Sequence, residues 1–156
     1  MRTDTETPTA TRSPFTAIGT VDRGARLSLV WVFAILNYLY CDVLGLMDAD
    51  SLRGYLAGDV NGIAVTQGFL LGAGVLMEIP IAMVLLSSVL PARPSRWANI
   101  VAGTIMTVVM VATLFMAGLT VYYAFFGVIE IAATAFIVWY AWTWHTPARR
   151  APEPSA

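Results

Sequence analysis

Four long apolar runs dominate the chain, at residues 27–47, 66–90, 97–119 and 121–144, and short polar stretches separate them. A membrane-crossing helix needs about 20 largely apolar residues, because each residue rises about 1.5 Å and the hydrocarbon core is roughly 30 Å thick. Every run meets that length. Pro91 and Pro94 bound the second run, since proline cannot continue a helical ladder, and only a turn around residues 118–120 parts the third from the fourth, which makes them a tight hairpin. The predicted fold is all-α, a transmembrane four-helix up-down bundle.

The polar flanks divide the chain and orient it. Residues 1–22 are rich in Thr, Pro, Ser and Arg and read as a disordered tail. The transmembrane domain is then 23–146, with a second tail over 147–156. The first run has the length of a full span, carries Asn37 and Asp42, and lacks a small-residue cleavage site after it, so a retained helix is expected rather than a signal peptide. Arg23 and Arg26 precede the first span, Arg93 and Arg96 lie between the second and third, and Arg149 and Arg150 follow the fourth. The opposite side has only Arg53, in a loop with Asp48, Asp50 and Asp59. Basic flanks stay inside, so both termini are expected in the cytoplasm. Trp31, Trp97, Trp139, Trp142 and Trp144 all fall toward that side, where indoles favour the headgroup layer. The loop over 48–65 contains Gly54, Gly58, Asn61 and Gly62. It is either a plain loop or holds a short interfacial helix over 51–57, with Leu52, Tyr55 and Leu56 against the membrane.

Composition narrows the chemistry. Hydrophobic residues make up 58% of the chain, mean hydropathy is +0.70, and the net charge of -1 provides no basic surface for nucleic acid. All nine basic residues are Arg, which excludes Lys Schiff-base chemistry. Cys41 is the single cysteine and cannot form an internal disulfide or a C-x-x-C pair. His145 is the single histidine and reads as an interfacial residue. No phosphate loop, nucleophile elbow or zinc signature is present, so no catalytic residue, cofactor or metal is expected.

What remains is a set of acids in oily surroundings. Asp42, Glu78 and Glu130 lie within the apolar runs with no basic residue beside them. An ionised carboxylate at the bilayer centre costs at least about 2.5 to 3.5 kcal/mol, so each calls for a proton, a cation or a hydrogen-bonding neighbour. By helical rise Glu78 lies about 18 Å and Glu130 about 14 Å from the outer ends of their spans. Asn37 is at similar depth, and Asp42 is nearer the outer surface. The expected arrangement is a polar cluster of Asn37, Glu78 and Glu130 with Asp42 at its mouth. Tyr38, Tyr40, Cys41, Tyr123 and Thr134 share helix faces with these groups and would support them. The alternative is that the acids only bond neighbouring helices as packing groups, worth about 1 to 2 kcal/mol each at most. Gly68 and Gly72 form a G-x-x-x-G, which would suit a homodimer. An internal echo between GVLMEIPIA at 74–82 and GVIEIAA at 127–133 would make the two glutamates quasi-equivalent if a hairpin had been duplicated. Thr104 and Thr107 can satisfy their hydroxyls on the preceding turn.

LNYLYCDVLGLMD at 36–48, GFLLGAGVLMEIPIAMVLLS at 68–87, RWANIVAG at 96–103 and IEIAATAFIVWYAWTW at 129–144 together resemble a bacterial family of small four-helix membrane proteins defined as a domain of unknown function. The resemblance runs from about Leu27 to Trp144. It implies a bacterial cytoplasmic membrane, and puts Tyr40, Cys41, Asp42, Glu78, Pro80, Arg96, Trp97, Asn99 and Glu130 among the characteristic positions. It implies no activity. A fainter likeness to DoxX-like proteins rests on helix count and a glycine-rich second span with an acid, and transfers no role. The leading functional expectation is a small carrier or channel-like protein for protons, cations or a small cationic molecule. A non-catalytic subunit or scaffold that binds another membrane protein is the second, and a lipid- or quinone-linked membrane enzyme the third.

Overall fold

The computed structural model describes residues 22–60, 62–116 and 120–144. Its elements in chain order are α1 (Arg23–Met47), α2 (Ala49–Ala57), β1 (Asp59–Val60), β2 (Ile63–Ala64), α3 (Gln67–Val89), α4 (Ala92–Met116) and α5 (Val121–Trp142). Helices α1, α3, α4 and α5 are each long and apolar enough to cross a membrane. Consecutive long helices alternate in direction. The main contacts join α1 to α3, α3 to α4, α4 to α5 and α5 back to α1, so the bundle is the up-down arrangement expected. The tails, His145, Arg149, Arg150, Asn61 and residues 117–119 of the expected turn lie outside the described residues.

The start of α4 differs from the expectation. It begins at Ala92 and takes Pro94 into its first turn, where a backbone N–H has no intrahelical acceptor and proline's missing donor costs nothing. Only Leu90 and Pro91 separate α3 from α4.

Each helix buries one stripe and shows the rest to lipid. Along α1 the buried positions are Gly24, Leu27, Trp31, Ala34, Tyr38 and Cys41, the spacing by which residues share a helical face. Met83 of α3, Ala102 and Met106 of α4, and Ala133 and Ile137 of α5 complete the core. Glycines let the backbones close in at particular points. A Cβ on Gly24 would strike the backbone oxygen of Ser87, and one on Gly103 would lie 2.8 Å from Val138 Cγ2.

Toward the end where α3 joins α4, a buried polar knot ties three helices. Asn99 Oδ1 accepts from Trp31 Nε1 at 2.8 Å and from Ser87 Oγ at 3.0 Å, while Asn99 Nδ2 donates to the Ser95 carbonyl at 2.8 Å. Trp31 is therefore not the interfacial indole that its position suggested. It is fully buried, because its N–H finds its partner inside the bundle.

The opposite end carries the one sizeable insertion, and it is more ordered than a plain loop. Asp48 caps α2, its carboxylate accepting from Ser51 N at 3.0 Å and Ser51 Oγ at 2.8 Å. Gly58 ends the helix at φ 76, in the left-handed region that glycine enters without strain. A short antiparallel pairing of Asp59 with Ala64 and Val60 with Ile63 leads back to α3.

Candidate intramembrane carboxyl site

Glu130 lies on the buried face of α5, one turn from Gly127 and from Thr134. Both neighbours help draw α4 in. A Cβ on Gly127 would meet Met110 Cε and Leu114 Cδ2 at 2.9 and 3.0 Å, so the missing side chain lets these two side chains of α4 pack close to the α5 backbone. Thr134 Oγ1 donates to the Glu130 carbonyl at 2.9 Å, and Thr107 Oγ1 on α4 donates to Thr134 Oγ1 at 2.8 Å. The Gly103 carbonyl, also 2.8 Å away, is the alternative acceptor for the single Thr107 proton, and Thr104 Oγ1 donates to the Ile100 carbonyl one turn earlier, as their spacing predicts.

The Glu130 side chain is 1% exposed, and its Oε1 has no hydrogen-bond partner. From α1, Tyr38 brings a hydroxyl that is likewise buried and unpartnered. The two groups stand close enough for their charges to interact, and Cys41 and Asp42 lie within the same range of Glu130. Depths agree, since Tyr38 and Glu130 each lie nine residues, about 14 Å, from the α2-bearing ends of their helices. Asp42 is about 8 Å from that end and its side chain is exposed. Around it stand Tyr55 of α2 and Tyr123 of α5, and the Tyr122 hydroxyl is set against Gly45. Burial, reinforced by the charges of Asp42 and Tyr122, pushes the Tyr55 phenol above its ordinary value. At the edge of this end, the two hydrogen bonds from Ser51 hold the Asp48 carboxyl below the usual aspartate range.

The expected three-helix layer does not form. Glu78 is exposed on α3. The buried residues of that helix are Pro80, Met83 and Ser87, and at about 100° per residue Glu78 lies some 140° to 180° around from all of them. It points away from the bundle. Asn37 is only half-buried and turns its amide onto the Phe33 carbonyl of its own helix at 2.8 Å. Tyr40 is 63% exposed. Of the residues singled out from sequence, the fold thus gathers Tyr38, Cys41, Asp42, Tyr123, Glu130 and Thr134, and leaves Asn37, Tyr40 and Glu78 apart. The buried amide of Asn99 was legible only through the family resemblance, although a polar side chain inside a long apolar run was itself a signal.

Chemically, the centre is a carboxyl and a phenol sealed from water with hydrogen-bonding capacity left over. Among the described residues no basic side chain pairs with it, and the ion pair found is Arg53 with Asp50, on the surface of α2. No group of three metal-ligating side chains occurs among the described residues. A family model described as "Family of unknown function (DUF6326)" matches residues 19–150, in line with the resemblance to a domain of unknown function. No curated protein and no solved structure matches the chain.

Proposed function

We propose the following function for this protein, which belongs to the family of unknown function DUF6326: it is a small carrier or channel-like protein for protons or small cations, with Glu130 as the group that takes up the charge. The observation that carries this reading is the buried Glu130 carboxyl with an unpartnered oxygen, in the same electrostatic neighbourhood as the buried and unpartnered Tyr38 hydroxyl. A carboxylate so placed is relieved by a proton or by a cation that sheds water, and the phenol can donate to or accept from whichever form is present. Asp42 stands between this centre and the α2 end, in position to pass a cation inward. On this reading the protein sits in a bacterial cytoplasmic membrane with both termini in the cytoplasm. Arg23, Arg26, Arg93 and Arg96 cluster at one end of the bundle and Asp48, Asp50 and Asp59 at the other, which supports that orientation.

Proteoliposomes with a pH-sensitive dye inside test the reading. Under an imposed proton gradient, with potassium and valinomycin clamping the potential, the protein should collapse the gradient faster than empty vesicles do. Glu130→Gln should abolish the effect, and Glu78→Gln should retain it. Uptake by folded Glu130→Gln equal to wild type would overturn the proposal.

Glu78 favours a second role alongside the first. A carboxyl at the midpoint of α3 that faces away from the bundle has no hydrogen-bond or ion-pair partner among the described residues, and Gly72 and Gly74 nearby have open space where a Cβ would be. We infer that this face of α3 meets another membrane helix, in a homodimer or on another membrane protein. Disulfide trapping of Gly74→Cys, in a Cys41→Ser background, distinguishes these; a trapped dimer supports the first, and a mixed adduct with another chain the second.

A further inference from the structure

At the far end of the bundle from the Asp42 mouth, α4 and α5 leave a groove of about 360 Å³ on the outer face. Thr104, Thr107 and Val108 form one wall, and Ala135, Val138, Trp139 and Trp142 the other. Its surface is hydrocarbon and indole. The Thr104 proton is spent on the Ile100 carbonyl and the Thr107 proton on either the Gly103 carbonyl or Thr134 Oγ1, so neither hydroxyl needs a polar occupant in the groove to accept its proton. From Trp142 to Ala135 it runs about 10 Å along α5, most of the roughly 15 Å depth of one leaflet's hydrocarbon.

One end of this groove has a fixed cation. Arg96 Nη2 donates to the Trp142 carbonyl at 3.1 Å, and the guanidinium sits 5.9 Å from the centre of the Trp142 ring. The same tryptophan is thus both the last residue of the groove wall and the seat of the arginine. Arg96 Nε is buried without a partner and faces inward; among the described residues the guanidinium makes no ion pair, so the Nη hydrogens not used on the Trp142 carbonyl are the donors left for a headgroup. A planar fork with donors to spare is well matched to phosphate oxygens. Arg93 lies one turn before it on α4, and Arg23 and Arg26 share this end, against Asp22 as the acid there among the described residues.

We propose that this groove is a binding site for an anionic phospholipid of the surrounding leaflet, with one acyl chain along Trp139 and Val138 and the headgroup phosphate on Arg96. The charge complementarity at the mouth and the wholly apolar walls select that occupant over a helix, whose backbone and side chains would need more room. The site is separate from Glu130 and does not depend on its role.

Native mass spectrometry of the purified full chain, titrated with phosphatidylglycerol or phosphatidylcholine of matched acyl chains, tests this. Phosphatidylglycerol should bind roughly fivefold more tightly, the factor that about one basic residue contributes at an anionic surface. Arg96→Gln should bring the two lipids to parity. Ala135→Phe alters an exposed position, leaves every arginine in place and fills the groove, so it should lose the tight phosphatidylglycerol adduct while the helical circular dichroism is unchanged. Equal binding of the two lipids to wild type, or wild-type phosphatidylglycerol binding by Ala135→Phe, would overturn the proposal. The second result would mean that the arginines attract anionic headgroups diffusely, with no built site.

Discussion

The polar knot around Asn99 should be the most sensitive point of the bundle, and its energetics can be worked group by group. Replacing Asn99 by Leu keeps the volume near the original and removes the acceptor for Trp31 Nε1 and Ser87 Oγ. The serine hydroxyl can turn to a carbonyl of its preceding turn, and the Ser95 carbonyl keeps its place in the helix. Trp31 has no such escape. Its indole is fully buried, and an orphaned buried donor costs about 1 to 3 kcal/mol. In membranes the unfolded state also finds partners, which brings measured interhelical couplings down to about 0.6 kcal/mol on average with a maximum near 1.7. We therefore expect Asn99→Leu to destabilise by about 1 to 2 kcal/mol. Equilibrium unfolding in mixed dodecyl maltoside and SDS micelles, followed by circular dichroism, measures it. The decisive quantity is the double-mutant cycle with Trp31→Phe. Phenylalanine has no N–H to strand, so Trp31→Phe should cost clearly less in the Asn99→Leu background than in wild type, by about 1 kcal/mol. Strict additivity of the two changes would show that the 2.8 Å contact carries no stability, and would refute the reasoning.

Other positions give contrasts of sign. Gly24→Ala and Gly103→Ala should each destabilise by about 1 to 3 kcal/mol in the same unfolding assay, because their new methyl groups meet Ser87 O and Val138 Cγ2; Gly72→Ala, with open space around it, should be neutral or gain up to about 1 kcal/mol of helix propensity. Tyr38→Phe removes a hydroxyl without a partner, so unfolding should shift by less than about 0.5 kcal/mol while proton uptake by proteoliposomes falls. Asp48 sets a pH dependence on α2. Its carboxyl is held low by Ser51, so the cap is fully present above the ordinary aspartate value of about 3.9 and is lost as pH falls through the lower folded value. Protection of the Ser51 and Leu52 amides, taken relative to their intrinsic exchange rates, should fall across that acidic window and stay constant above it, and Asp48→Ala should show low protection at every pH.

The echo between the second and fourth spans shows how sequence and structure part company. GVLME at 74–78 has one more residue between its glycine and glutamate than GVIE at 127–130. On a helix one residue is about 100° of rotation. Aligning the strings by eye equates Glu78 with Glu130, but that offset carries the buried positions of α5, Gly127, Glu130, Ala133, Thr134 and Ile137, onto Val75, Glu78, Ile81, Ala82 and Leu85 of α3, all exposed. Neither string records which face the neighbouring helix will cover. α3 is apolar on nearly every side, so hydropathy provides no stripe by which to read its rotation. Pro94 shows a similar gap on a smaller scale, because its identity marks a helix boundary but not whether it stands just outside or just inside the first turn.

Run lengths and hydropathy by themselves determined the class, the number of spans and their alternation, because the bilayer's thickness and the absence of water in it leave the backbone no other solution. They also located every intramembrane acid and its depth, since depth needs only the rise per residue. Which acid is enclosed, and with what, was decided by tertiary structure. Helix rotation depends on contacts between residues far apart in the chain, such as Gly24 against Ser87, Gly127 against Met110, and Trp31 on Asn99. Those contacts turn Glu130 inward to Tyr38 and leave Glu78 facing out.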